Sequence, residues 1–121
     1  MAAITDLTFE QLNNAAIADP NIGEAIFSFA GDTITLDVKK LTGDSFTAIT
    51  DEGICEVMFK LRKLCSEAQE TVNESVVDPD EQLTSFPPFT YGLPSAQGLV
   101  TVNQIQTVQL PLLANTVKGT N

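Results

Sequence analysis

Between residues 51 and 75 the apolar side chains recur with helical spacing over a stretch far longer than a strand of a small domain. Counting about 100° per residue from Ile54 places Val57, Met58, Leu61, Leu64, Cys65, Ala68 and Val72 within an arc of roughly 120°, the width of a core-facing stripe. From a cap at Thr50 or Asp51 to about Ser75, such a helix spans roughly 36 Å. Glu56 and Lys60 add an i, i+4 pair on its solvent side, a contribution of only about 0.3 to 0.5 kcal/mol. The stripe makes this helix fold, so the remaining chain must supply the layer it packs on.

The N-terminal third offers two kinds of element. In LTFEQL, Thr8 is placed to cap a helix with Gln11 closing a capping box, and Leu7 with Leu12 forms a hydrophobic staple. That helix must stop by Asp19, because Pro20 disfavours the α conformation in the residue before it. Asp19-Pro20 then reads as a second helix start, with Ile22, Ile26 and Phe29 at helical spacing. After Gly31-Asp32, TITLDV alternates with a period of two and predicts a strand. Residues 39–45 read as a loop, and SFTAI as a short returning strand.

Charge divides the chain. Of its 6 basic and 16 acidic side chains, only Lys118 lies beyond Glu81. Residues 82–97, containing FPPFTYGLP, predict an extended connector rich in proline and aromatics, and residues 98–113 a C-terminal strand region. Together these elements predict one α+β domain over residues 1–121. Its parts are N-terminal short helices, a small β-hairpin, and a long central helix (about 51–75) packed on a mainly antiparallel sheet completed by the C-terminal strand or strands. A chain of this length buries about two-thirds of its surface, enough for a core without staples.

The chemistry is sparse. The chain has no histidine, so the commonest general base and the Ser-His-Asp and Cys-His arrangements are excluded within it. Cys55 and Cys65, ten positions apart on one helix, stand about 15 Å apart along its axis, which forbids a disulfide and zinc of the usual type. Cys65 sits in the apolar stripe and should be inert; Cys55 lies off it. No glycine-rich phosphate loop is present. The acidic clusters Asp51-Glu52 and Asp78, Asp80, Glu81 lie at a helix start and in a turn, where acids have structural reasons to be. Lys60, Arg62 and Lys63 read as a solvated helix face balanced by Glu56, Glu67 and Glu70. No cofactor and no metal are expected.

A net charge of −10 disfavours nucleic acid and anionic lipid. No apolar run is long enough to span a bilayer, and MAAITDLTFE carries no secretory pattern, so the expected compartment is the cytoplasm. Two residue groups point to a partner. Phe59 falls across the long helix from its stripe, near Cys55, and needs cover from the same chain or a second copy. As one strand, Leu99 to Leu110 would span about 40 Å and overhang its own domain, so it must bend near Asn103-Gln104 or pair elsewhere. A hairpin within one copy would remove that second reason for an assembly.

The function that follows is a non-enzymatic homo-oligomeric interaction, structural or assembly protein. Its interface candidates are Phe59, Cys55, Val100, Val102, Ile105, Val108 and Leu110, and its partner is itself or another protein. The alternative is a small-molecule-binding domain, or a weakly specified enzyme, with a pocket between the long helix and the sheet. Tyr91, Phe86, Phe89, Arg62 and Thr101 are the lining candidates.

Overall fold

The computed structural model describes residues 7–48 and 53–107. In chain order these form α1 (Phe9–Ala18), β1 (Phe27–Ala30), β2 (Thr33–Leu36), α2 (Val38–Thr42), α3 (Ile54–Glu74), a 3-10 turn (Pro79–Glu81), β3 (Thr90–Tyr91) and β4 (Val102–Asn103). The fold is α+β, with the long central helix as expected, but two separate antiparallel two-stranded sheets take the place of one sheet. The chain divides into two compact units, one over residues 7–71 and one that includes residues 72–107.

In the first unit, α1 starts as its sequence dictates. The Gln11 amide donates to Thr8 Oγ1 at 3.1 Å and the Thr8 amide to Gln11 Oε1 at 2.9 Å, closing both halves of the capping box. Asp19 ends the helix in extended conformation (φ −75°, ψ 119°), as a residue before proline should.

No second helix follows. Asp19 Oδ1 accepts from the Asn21 amide at 2.8 Å, and Gly23 at φ 76° returns its amide to the carbonyls of Asp19 and Ala16. The aspartate that could cap a helix instead closes a turn, and the left-handed glycine ends any helical path. Residues 27–30 therefore enter a strand. It pairs with β2 in the register Phe27–Leu36, Ser28–Thr35, Phe29–Ile34 and Ala30–Thr33, across a two-residue Gly31-Asp32 turn. A glycine with positive φ (63°) at the first central position is what a II′-type hairpin turn favours.

The hairpin's partner for TITL is thus the upstream segment. SFTAI forms no strand over residues 45–48, and its last residue, Ile49, lies outside the described ones. Residues 38–42, expected as strand end and loop, form the one-turn helix α2. Asp37 Oδ1 accepts from the Lys40 amide at 3.0 Å, and Gly43 (φ 82°) closes the other end on the Lys39 carbonyl at 2.7 Å. A cap and a left-handed glycine six residues apart specify a turn of helix too short to show periodicity.

Ala16, Ile26, Leu41 and Leu64 form the buried core of this unit, with Ala15, Ile22, Phe27, Leu36, Val57 and Leu61 packed around it. The Phe9 ring meets the Phe27 ring edge-on at 5.0 Å. On α3 the predicted stripe is buried at Leu64, Cys65 and Ala68, whereas Ile54 and Met58 are half or more exposed. They belong to the helix's first two turns, away from the centre of the stripe that carries the core. Glu56 and Lys60 pair at 3.5 Å.

The second unit begins at the end of α3. Asn73 Nδ2 donates to the Leu83 carbonyl at 2.9 Å and its Oδ1 accepts from the Leu83 amide at 2.8 Å, so one side chain imitates a strand partner. Asp78 caps the 3-10 turn through the Asp80 amide at 2.9 Å, the structural role expected of that acidic cluster. Ser85 and Phe86 are buried.

The connector then pairs with the C-terminal segment. Thr90 stands opposite Asn103 and Tyr91 opposite Val102, extended by a bond from the Gly92 amide to the Thr101 carbonyl at 2.8 Å. Ser95 closes the tip, accepting from the Gln97 and Leu99 amides. Within the expected strand region only Val102–Asn103 is strand among the described residues; residues 108–113 lie outside them. The strand ends at Asn103, and the segment beyond it is held to its own chain: Gln104 Nε2 donates to the Pro87 carbonyl at 2.8 Å. Among the described residues no helix is long and apolar enough to cross a membrane.

Candidate functional site

The first unit contains a cavity of about 300 Å³ between the end of α1, α2 and the face of α3 that borders its main stripe. That volume sits at the low end of the roughly 300–1,000 Å³ typical of small-molecule sites. Phe59, Lys60, Lys63, Leu64 and Glu67 come from α3, Leu41 and Thr42 from α2, and Asp19, Asn21 and Ile22 from the turn after α1. Positions 59, 63 and 67 follow one another at i, i+4 and i+8, so an aromatic ring, an ammonium and a carboxyl share one helix face.

Three interactions set the cavity's electrostatics. Lys60 Nζ donates to the Thr42 carbonyl at 3.3 Å while pairing with Glu56, which ties α3 to the end of α2. The Glu67 carboxyl is hydrogen-bonded to Asp19. Burial, then the Asp19 charge, that hydrogen bond and Glu70 raise the Glu67 pKa, and Lys63 opposes them.

The sign of the pH effect follows. A carboxyl whose folded pKa lies above its unfolded value binds its proton more tightly when folded, so its contribution is fully present below the ordinary value of 4.5 and is lost as pH rises through the raised one. Glu67→Gln should therefore flatten the decline in stability above pH 4.5, measured as urea midpoints across a pH series.

The structure distributes the sequence-derived candidates over different places. Phe59 is partly covered by its own chain, in the cavity, which removes the need for a second copy over it. Arg62 is half-buried on α3 but does not line the cavity. Tyr91, Phe86, Phe89 and Thr101 belong to the second unit, where Phe86 is buried and Tyr91 is exposed. The cavity of the first unit is lined from helices and the turn after α1, with α2 standing where a loop was expected. Val100 and Ile105 are exposed and Val102 half-buried, while Val108 and Leu110 lie outside the described residues. In the sequence Asp19 reads as a helix cap and Glu67 as a balancing surface charge, and the i, i+4, i+8 run from Phe59 is the one local signal of this face.

The two thiols behave as their positions require. Cys55 is exposed and Cys65 buried. Burial pushes the Cys65 thiol up to about 11, against a smaller downward pull from Arg62. At pH 8 only about one Cys65 in a thousand is then thiolate. Titration with an aromatic disulfide reagent should count Cys55 alone in the folded protein and both thiols in denaturant.

No family model, no curated protein and no solved structure matches the chain.

Proposed function

We propose that this chain is a cytoplasmic, non-enzymatic interaction protein that self-associates through its uncharged C-terminal arm. The observation that supports it is the exposure of apolar side chains on the β3–β4 arm and just beyond: Leu93 is 93% exposed, Ile105 79%, Leu99 70% and Tyr91 59%. No charged side chain occurs from Gln82 to Thr107. Internal pairing of β3 with β4 removes overhang as a reason for assembly, so exposed apolar surface now supports the proposal alone.

Charge favours a second copy as the occupant. The rest of the chain is strongly acidic, and two copies meeting through it would repel. An uncharged apolar surface is complementary to itself, as a two-fold interface requires.

Size-exclusion chromatography with light scattering tests this at micromolar protein. The expected mass is a multiple of 13.0 kDa, returned to the monomer by the double substitution Leu93→Glu and Leu99→Glu. A monodisperse 13.0 kDa species for the unsubstituted chain overturns the proposal.

A further inference from the structure

The helical cavity is lined by residues of the first unit alone and has its own chemistry. Its apolar wall is Ile22, Leu41, Leu64 and the Phe59 ring. Its polar groups divide by sign: Asp19 and Glu67 stand together as a hydrogen-bonded carboxyl pair, and Lys60 and Lys63 supply ammonium groups one helical turn apart.

Each simple ligand class meets an obstacle. A pure cation would be drawn to the carboxyl pair but would face two lysines. A pure anion would face the carboxyls and a net charge of −10. Lys60 is already held by Glu56 and the Thr42 carbonyl, which leaves Lys63, exposed and without such a bond to a carbonyl, as the cation best placed for an incoming anionic group. A molecule bearing both charges answers both groups, and a short apolar body answers the wall.

From this juxtaposition we infer that the cavity binds a small zwitterion of the apolar amino-acid class, its ammonium against Asp19 and Glu67, its carboxylate toward Lys63, and its side chain against Phe59, Ile22 and Leu41.

Isothermal titration calorimetry with L-leucine and L-phenylalanine as probes tests this directly. Both should saturate at millimolar concentration or below. Isoamylamine, which lacks the carboxylate, and isocaproate, which lacks the amine, should each bind at least about tenfold more weakly than leucine. Glu67→Gln and Lys63→Met should each weaken leucine by about tenfold.

Lys63 is exposed, so Lys63→Met decides the matter even where Glu67→Gln fails to fold, with circular dichroism confirming the fold. Leu93→Glu, on the arm, should leave leucine binding unchanged. Absence of saturation by both amino acids overturns the inference. So does isoamylamine or isocaproate binding as tightly as leucine, or undiminished binding by folded Lys63→Met.

Discussion

Leu64→Ala should lower the unfolding free energy by about 2 to 5 kcal/mol, the range for truncating a fully buried leucine. Leu64 is 1% exposed and, with Ile26, is one of the two largest side chains buried almost completely. It joins Ala16, Ile26 and Leu41 in the core, and so connects α3 to α1, α2 and the approach to β1. Its site also borders the cavity, which bears on where the effect falls within that range. A void that opens into an existing space costs less than a sealed one, so about 3 kcal/mol is the expected centre. Ile54→Ala provides the contrast: it removes a similar side chain from the same sequence stripe, but Ile54 is 60% exposed and the cost should stay under about 1 kcal/mol. Urea denaturation with a common m-value measures both. Equal losses for the two would contradict the assigned core.

The contrast between Leu64 and Ile54 shows what the sequence could and could not convey. Helical periodicity located α3 within a few residues at each end, because twenty-one residues repeat the pattern often enough to be unambiguous. The same arithmetic could not say which part of the stripe is covered, since cover depends on elements distant in the chain. Thr8 and Gln11 were legible because a capping box is local, with both partners three residues apart.

Residues 19–30 depart from the sequence expectation for the complementary reason. Asp19-Pro20 serves equally well as a helix start or as a turn, and the chain takes the turn because β2 is available downstream to pair with residues 27–30. The cavity was illegible for the same cause. Asp19 and Glu67 lie 48 positions apart, and only the packing of α1's end against α3 brings their carboxyls together. The sequence marks Phe59 as needing cover, yet nothing local places α2 beside the cavity that Phe59 lines.

Asn13 makes the most consequential of these distant connections. Its Oδ1 accepts from the amides of Ile26 at 3.1 Å and Phe27 at 2.8 Å, and its Nδ2 donates to the Phe27 carbonyl at 3.0 Å. One side chain in the middle of α1 therefore satisfies three backbone groups at the start of β1, in a partly buried setting. Asparagine is unfavourable inside a helix unless its amide works elsewhere, and here it works across the turn. Asn13→Ala leaves two amides and a carbonyl without their partner, at a cost of about 2 to 4 kcal/mol after partial rehydration. Asn13→Asp separates the contributions. A carboxylate still accepts from both amides but turns an oxygen toward the Phe27 carbonyl, so the loss should be smaller than alanine's at pH 7 and should shrink further when acid restores a donor. Hydrogen exchange of the Ile26 and Phe27 amides should accelerate strongly in Asn13→Ala and only modestly in Asn13→Asp. The β1–β2 ladder amides should change less, because their own pairing persists. If both substitutions leave the Ile26 and Phe27 amides as protected as before, α1 does not hold the hairpin through Asn13, and the turn at Asp19 must position β1 alone.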